Sequence, residues 1–419
     1  MRIRRVGREV VSESKNPLQP SEDSASSNRP LLLRWCIYLA AFSSSWTAVS
    51  LAGFNLVDYA LGSTSVLLTA TAFLQKRKLR IAPWMLFPLF AAFAISVVTT
   101  IARNVDFDSL MLLRIFLTTT CVAVVVFTSV EWFGAKFLRS ILIFWVLGVT
   151  VNCLAAVGVS YGLVSFGGLL TQSTGARLSG LASHPNSLAF SATMALASSV
   201  FLVFNARFKI AWAGCLAIIL WGATLSESRS FLIVGVPVLI LAVTIAIRRS
   251  ALRIMAVPLA IVVAVVALFV VPVAFENSRL ADGAGALSDA GRSFLNENAL
   301  NTFLASPVFG AGFAHQAGVS VPLTVLTAGG LVFALGYYSF IVYPLPGISR
   351  AWKTPLAPYG ILSLVALTGF GFLNPVFMER VTYWPILIAF VLALAERESS
   401  PAATVSPATA ARRFATGDV

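Results

Sequence analysis

Residues 140–160 read SILIFWVLGVTVNCLAAVGVS and carry no charged side chain, which is enough apolar sequence for one helix to cross a bilayer. Similar runs recur along the chain, and twelve spans are predicted at 31–52, 57–74, 81–101, 110–130, 140–160, 187–204, 209–225, 230–247, 254–273, 321–342, 357–374 and 381–395. Of the 419 residues, 58% are hydrophobic and 11% charged, and the mean hydropathy is +0.86. The sequence therefore predicts an all-α, polytopic membrane helical bundle, which excludes a Rossmann enzyme, a zinc protein or a repeat array as the main body.

The basic residues set the expected orientation. With the N-terminus inside, 23 of the 30 Lys and Arg residues fall on the cytoplasmic side, six fall outside, and Arg114 lies in the fourth span. This satisfies the positive-inside rule and predicts cytoplasmic N- and C-termini in a bacterial plasma membrane. The net charge of +13 is thereby explained by topology, so we expect no nucleic-acid partner.

The chain ends and the cysteines predict little chemistry. Residues 1–30 are basic and Ser-rich without an apolar core, so they are interpreted as a disordered cytoplasmic tail, and 398–419 as a second one. The membrane domain is then 31–397. The cysteines stand singly in apolar runs, without ligand spacing, and are expected to be buried small hydrophobes: Cys36, Cys121, Cys153 and Cys215.

Every cation predicted outside is arginine: Arg103, Arg177, Arg229, Arg279, Arg292 and Arg380. Arginine presents a planar fork that binds phosphate or carboxylate with two parallel hydrogen bonds, so this pattern favours an anionic ligand at the outer face. Because arginine outnumbers lysine in the whole chain, chance remains an alternative explanation.

Two outer connections are long, at about 161–186 and 274–320, and both histidines fall in them. In the second, GRSFLNENALNTFLASP predicts a short amphipathic helix after Gly291, lying across the membrane surface with Arg292 at its start. Its predicted apolar stripe is Phe294, Leu295, Ala299, Phe303 and Leu304.

Each candidate site residue has a structural alternative. Arg177 either snorkels to lipid headgroups or binds a ligand. Arg229 lies close to membrane depth in LSESRSFLIV, and either pairs with Glu227 or binds a ligand. His184 precedes Pro185 and is equally suited to capping a helix. His315, just before the tenth span, is placed to act as a base at the lipid boundary.

Four segments in order resemble the bacterial O-antigen ligase and polysaccharide polymerase family of membrane glycosyltransferases. They are GARLSGLASHPNSLAF (175–190), SESRSF (226–231), GRSFLNENALNTFLASPVFGAGF (291–313) and LTVLTAGGLVFAL (323–335), which contains paired glycines. The motifs cover about residues 175–345, and the topology covers the whole chain.

The resemblance implies a GT-C-like enzyme that needs no metal or cofactor and takes its donor from an undecaprenyl-pyrophosphate-linked oligosaccharide. The acceptor would be a hydroxyl of a glycan or lipid-linked glycan at the outer face. Arg177, Arg229 and Arg292 match the family's arginines and would bind the pyrophosphate, with Arg279 as a further candidate and His184, Asn186 and Glu227 in support.

The chain departs from the family at the catalytic histidine. The family's His-Asn pair, about ten residues before the paired glycines, is replaced by Val319 and Ser320, and its acidic residue by Ala328. His315 is the candidate replacement for the base. The alternatives are a transporter or flippase of a polyprenyl-linked glycan, or a non-catalytic family member.

Overall fold

A computed structural model describes residues 31–51, 53–80, 83–105, 109–164, 177–249, 285–313, 319–376 and 379–398. The tails at 1–30 and 399–419, the predicted span 254–273, Arg279 and His315 lie outside the described residues, so the predictions about them stand as predictions.

The described residues are mostly helical, and their strands form one antiparallel hairpin that pairs Ser50 with Asn55. The helices are α1 (Leu31–Phe42), α2 (Leu56–Leu74), α3 (Pro83–Ala102), α4 (Ser109–Phe116), α5 (Val122–Phe133), α6 (Ala135–Ser160), α7 (Pro185–Asn205), α8 (Lys209–Leu225), α9 (Val236–Arg249), α10 (Gly285–Ala305), α11 (Val321–Val342), α12 (Pro344–Arg350), α13 (Ala357–Leu373) and α14 (Tyr383–Glu398). The strands are β1 (Ser50–Leu51) and β2 (Phe54–Asn55).

The described part of the chain contains seven helices that are long and apolar enough to cross a membrane. Four shorter apolar helices accompany them, at Leu31–Ser45, Lys209–Leu225, Ala357–Leu373 and Tyr383–Ala395. The chain is therefore a helical, multi-pass membrane protein, as its composition predicts.

Several predicted spans differ in detail from the observed helices. The first was expected to reach residue 52, but α1 ends at Phe42, and a 3₁₀ turn (Ser43–Ser45) and the hairpin follow. The fourth contains a π-helical segment, Leu117–Cys121, between α4 and α5, and another, Phe231–Gly235, precedes α9. Hydrophobic periodicity does not report such wide turns, which are common near functional sites.

Helix α7 lies at the centre of the bundle. Every residue from Leu188 to Phe204 is buried, and α7 packs against α6, α8, α9 and α13. Close packing on every face fixes the position and the rotation of this helix about its axis. The residues of its first turn are therefore also fixed in place. That first turn carries His184, Asn186 and Ser187.

Helix α11 is interrupted at the paired glycines. Gly330 has φ 61° and ψ −157°, and a short loop that follows α10 fills the break. An unbroken helix would pair Leu331 N–H with Thr327 C=O and Val332 N–H with Ala328 C=O. Here those N–H groups donate to Pro307 O (2.9 Å) and Val308 O (3.2 Å), while the carbonyls accept from Ala311 N–H (2.7 Å) and Gly312 N–H (3.0 Å). The sequence did not predict this interruption.

The loop is compatible with a membrane because it satisfies all four exposed backbone groups. Unpaired backbone groups are costly in lipid, and irregular backbone at membrane depth persists where other protein groups cover it. Phe313 N–H also donates to Thr100 Oγ1 (3.1 Å) of α3. The interrupted helix, its filling loop and α3 therefore form one packed unit.

Glycines allow α3 and α11 to approach closely. A Cβ added to Gly329 would lie 2.2 Å from Ser96 Oγ, and one on Gly336 would lie 2.4 Å from the carbonyl oxygen of Pro88. Small residues at such contacts are the usual means by which membrane helices pack backbone to backbone.

The contacts at the helix ends agree with the predicted alternation of sides. At one end, Arg103 Nη2 donates to Ser306 Oγ (2.6 Å), and the loop after residue 177 meets the end of α8. At the other end, Arg80 pairs with Glu131 at 2.6 Å, and Arg249 bonds the loop before α13. In each of these contacts, the two residues are predicted from the sequence to lie on the same side of the membrane. We call the first end the arginine face, because it carries described arginines that the sequence assigns to the outer side.

Two predictions for the loop helix need correction. Helix α10 begins at Gly285, so Gly291 lies inside it and does not precede it. Of the predicted apolar stripe, Ala299 is buried (5% exposed), whereas Phe294 and Leu304 are more than half exposed (63% and 62%). The small side chain of Ala299 permits close contact with α11, and Thr327 Oγ1 donates to its carbonyl (3.3 Å).

Two of the four cysteines are buried as predicted, and the other two are only half-buried. All four are free thiols, with Cys121 and Cys153 buried and Cys36 and Cys215 half-buried. Cys153 of α6 packs against Gly222 of α8. A Cβ added to Gly222 would lie 2.4 Å from the Cβ of Cys153, so the cysteine side chain fills the contact between the two helices.

Candidate functional site

The site begins with the segment 177–184, which the bundle holds at the arginine face. Asn152, buried in α6, accepts from Leu181 N–H through Oδ1 (2.7 Å) and donates to Ser45 O through Nδ2 (3.0 Å). Gly180 has φ +58°, and a Cβ there would lie 2.3 Å from the carbonyl oxygen of Asn152, so glycine is required. Thr47 and Ser183 add a hydroxyl hydrogen bond of 3.0 Å. The segment 177–184 is therefore held in one conformation by hydrogen bonds to the rest of the bundle.

Arg177 is fixed by two neighbouring elements. Its Nε donates to Ser226 O (2.9 Å), and its Nη2 donates to Asn186 Oδ1 (2.9 Å). The side chain is half-buried, with its fork held at the first turn of α7. This geometry differs from that of an arginine that snorkels freely to lipid headgroups.

A chain of hydrogen-bonded amides continues from Arg177. Asn186 Nδ2 donates to Asn374 Oδ1 (3.0 Å), and Asn374 Nδ2 donates to Ser230 Oγ (2.6 Å). Asn374 is 2% exposed and caps the C-terminus of α13. The network thus joins the 177–184 segment, α7, α13 and the turn after α8, and it sets the distance between Arg177 and that turn.

His184 caps helix α7, as its position before Pro185 allowed. Its Nδ1 accepts from the backbone N–H of Asn186 (3.0 Å), and Pro185 occupies the first helical position. Desolvation lowers the pKa of His184, and the positive charges of Arg177 and Arg292 lower it further. The ring is therefore neutral at pH 7, with its proton on Nε2, because Nδ1 is the acceptor.

The turn SESRS, residues 226–230, brings a second arginine to the network. Ser226 and Ser230 are buried and both bond the network, through Arg177 and Asn374 respectively. Between them Glu227 is half-buried with φ 48°, an uncommon backbone conformation for a residue other than glycine. Strained residues of this kind concentrate at functional sites. Arg229, which is also half-buried, lies in this turn directly before Ser230.

Arg292 completes the cluster from α10. It is exposed, and its charge acts on the pKa of His184 together with that of Arg177. The structure therefore brings Arg177, Arg292 and His184 near one another, and the network ties the turn of Arg229 to Arg177. Arg279 and His315 lie outside the described residues. Together the described members form a positively charged group at the arginine face, which suits a multiply charged anion.

Further bonds fix the rim of this cluster. Ser187 Oγ donates to Glu379 Oε1 (3.0 Å), and the next residue, Arg380, forms a buried pair with Asp58 of α2. Arg380 was predicted as one of the outer arginines, but it is 4% exposed and committed to this pair. It is therefore a structural residue. Arg103, in contrast, is exposed and donates one hydrogen bond to Ser306.

A cavity of about 230 Å³ lies beside the break in α11. It is lined by Met111, Leu295, Asn298, Ala299, Thr302, Ala311, Gly312, Thr324, Thr327 and Ala328. These are uncharged residues that offer hydroxyl, amide and backbone groups. The cavity is thus chemically distinct from the arginine cluster.

Sequence reasoning missed two members of the site region. Asn374 stands at the end of a span in FLNP, where an amide close to the outer end of an apolar run was the available signal. Asp58 stands three residues after Asn55 in a capping box, so its local role concealed its partner, Arg380, 322 residues away. Among the described residues, no group of three or more His, Cys, Asp and Glu side chains could hold a metal ion.

No protein-family model matches this chain, and no curated protein matches it.

Proposed function

We propose that this chain is a membrane glycosyltransferase of surface-polysaccharide assembly, with about twelve spans and both termini in the cytoplasm of a bacterium. It would transfer or polymerise glycan from an undecaprenyl-pyrophosphate-linked donor onto an acceptor hydroxyl at the outer face. The observation that carries the proposal is the cluster of Arg177, Arg292 and neutral His184 beside the turn of Arg229. The four motifs that resemble the O-antigen ligase and polymerase family support it.

The arginines would act on the leaving group. In the reaction the acceptor oxygen forms a bond to the anomeric carbon, the bond from that carbon to the pyrophosphate oxygen breaks, and its electron pair leaves with the undecaprenyl pyrophosphate. Negative charge therefore grows on the leaving oxygen in the transition state. Cations held in place beforehand stabilise that charge more than they stabilise the ground state. The bonds of Arg177 to Ser226 and Asn186 supply such prior positioning.

His184 suits a donor role better than that of a base. Its Nδ1 is occupied by the N–H of Asn186, and its Nε2 carries the proton, so the neutral ring can donate to a phosphate oxygen. The acceptor's proton must go to another group. His315 is our candidate base, because an imidazole is the side chain most often used to take up a proton near neutral pH.

The direct test is glycan transfer by the purified full-length protein in lipid nanodiscs from an undecaprenyl-pyrophosphate oligosaccharide. Arg229→Ala and Arg177→Ala should each reduce transfer by about 100-fold or more, as loss of one transition-state charge contact does in other enzymes. Arg103→Gln is the matched control, because it removes a cation of the arginine face that bonds Ser306 outside the cluster. If the cluster variants transfer glycan as the control does, the proposal is wrong.

Two further experiments test which residue is the base and whether transfer needs a metal ion. His315→Ala should abolish transfer if that histidine is the base. Transfer should continue in a chelator, since the scheme needs no divalent ion. Asp106 and Asp108 have Asp-x-Asp spacing, which suits a metal, and they lie outside the described residues. If no metal is needed, the Asp106→Asn, Asp108→Asn double variant should still transfer glycan. Loss of transfer in this variant, together with inhibition by a chelator, would contradict metal independence.

The interruption of α11 is the observation that favours the alternative, a transporter or flippase of a polyprenyl-linked glycan. Discontinuous helices often form substrate sites in transporters. The two functions separate in proteoliposomes, where a flippase moves labelled donor lipid between leaflets without an acceptor. A transferase consumes the donor when the acceptor is present. Movement of donor without transfer would favour the alternative.

A further inference from the structure

A second pocket lies at the opposite end of the bundle from the arginine face. Its volume is about 280 Å³, and it is lined by Phe204, Asn205, Ala246, Arg249, Lys353, Pro355 and Tyr359. It sits where α7 and α9 end and α13 begins, three helices that pack against one another. The positive-inside rule assigns this end to the cytoplasm. The pocket is therefore remote from the proposed donor site.

Arg249 is held at the rim of this pocket by the loop before α13. Its Nη2 donates to Trp352 O (2.6 Å), its Nη1 donates to Thr354 O (3.1 Å), and its guanidinium stacks on the Trp352 ring at 5.2 Å from the centroid. Carbonyls and an aromatic face fix the position of the cation without neutralising its charge. The side chain remains exposed, so the charge is available to a ligand.

The composition of the pocket selects an amphiphilic anion. Lys353, exposed, adds a second cation between the two residues whose carbonyls hold Arg249. The described residues that line the pocket include no carboxylate, while Phe204, Ala246 and Pro355 give it an apolar wall. A charged rim on an apolar wall fits a phosphate group that carries hydrocarbon.

The surroundings of the pocket are typical of a membrane interface. Phe208 is 68% exposed, Ile210 87% and Trp352 44%, all close in sequence to the ends of α7 and α12. Exposed aromatic and aliphatic side chains beside arginine and lysine mark the level of the lipid headgroups. A soluble phosphate compound would gain nothing from these apolar side chains.

We propose that the pocket formed by Arg249, Lys353 and the ends of α7, α9 and α13 binds the headgroup of an anionic glycerophospholipid of the cytoplasmic leaflet. Basic pockets between helices on this side of a membrane suit such headgroups. The lipid phosphate would contact both cations, and an acyl chain would extend along the apolar wall. This site is independent of glycosyl transfer.

The test uses the full-length protein in neutral detergent, delipidated and then titrated with phosphatidylglycerol, with bound lipid counted by native mass spectrometry. The double variant Arg249→Gln, Lys353→Gln should bind about 25-fold more weakly, since each cation near an anionic headgroup contributes about fivefold. The matched control is Arg248→Gln, Arg350→Gln, which removes the same charge from exposed residues of the same end that do not line the pocket. It should bind nearly as the wild type does.

Two outcomes would overturn the proposal. The first is equal loss in the two double variants, which would mean that charge in general, and not this pocket, holds the lipid. The second is competition by inorganic phosphate as strong as that by phosphatidylglycerol, which would assign the site to a free anion. Phosphatidylcholine, which has no net charge, should displace neither ligand. A melting curve of each variant without lipid establishes that the substitutions leave the fold intact.

Discussion

Arg380 and Asp58 lie 322 residues apart and form a buried, two-pronged ion pair, with Arg380 Nε 2.8 Å from Oδ1 and Nη2 2.9 Å from Oδ2. Asp58 also accepts from the backbone N–H of Asn55 (3.1 Å), so it caps α2 while it pairs with Arg380. The side chains are each 5% exposed. The pair therefore joins the start of α2 to the segment before α14, close to the bond between Ser187 and Glu379.

Removal of one member of this pair should strongly destabilise the protein. Arg380→Met leaves the carboxylate of Asp58 buried without its partner, at a cost of about 3–5 kcal/mol. Arg80→Met is the control, because it breaks the pair Arg80–Glu131, whose side chains are 68% and 40% exposed, and should cost about 0–1 kcal/mol. Denaturation in mixed micelles measures both. The double variant Asp58→Asn, Arg380→Met should recover part of the loss, and equal effects of the two arginine variants would contradict the buried pair.

The interruption at Gly330 predicts a second sensitive position. Gly330→Ala places a Cβ 2.4 Å from the carbonyl oxygen of Val308 and forces alanine into a conformation with φ +61°. Strain of this kind costs about 1–3 kcal/mol before the displacement of the loop is added. Gly214→Ala is the matched control, since an added Cβ there meets no atom within 4 Å. Thermal unfolding in detergent should show a large loss for Gly330→Ala and none for Gly214→Ala, and similar curves would argue against the break.

Sequence patterns predicted most of the described helices, because a helix that crosses the bilayer needs a long apolar run and such runs are visible in the sequence. They did not predict the break in α11, because residues 321–342 are uncharged throughout and the filling loop comes from a separate segment. Arg177, His184 and Asn186 were selected from one motif, and the structure places them in one hydrogen-bonded group. Asn374 was missed: the amide at the end of an apolar run marks the residue, but its bond to Asn186 depends on the packing of α7 against α13, which the local sequence does not encode. The end of α1 at Phe42 likewise follows from the hairpin that comes after it.

The capping bond of His184 predicts a pH dependence. Because its pKa is lowered in the folded protein, the unfolded chain binds more protons below about pH 6.5, the ordinary value for histidine. Stability should therefore fall as the pH drops from 7.5 to 5.5. His184→Asn keeps a capping side chain and removes the titrating group, so its melting temperature should vary less over this range. A wild-type profile with the same slope as that of His184→Asn would contradict the assignment.

Asn374 is predicted to position Arg177 through Asn186. Asn374→Ala removes an acceptor from Asn186 and a donor to Ser230, so it should destabilise the protein by about 1–3 kcal/mol and raise the KM for the proposed lipid-linked donor. Ser363→Ala, at a buried residue of the same helix that bonds Tyr359 O, controls for stability alone. It should leave the KM unchanged.

Asn374→Asp separates positioning from charge. The carboxylate can still accept from Asn186 and Ser230, but it adds a negative charge to the network that holds Arg177. The proposed donor is itself an anion, so its binding should weaken roughly tenfold, an effect of the size expected for one charge close to the arginine cluster. Stability should also fall, because residue 374 is only 2% exposed and a buried carboxylate is costly. Donor binding by this variant equal to that of the wild type would mean that the pyrophosphate does not sit at this cluster.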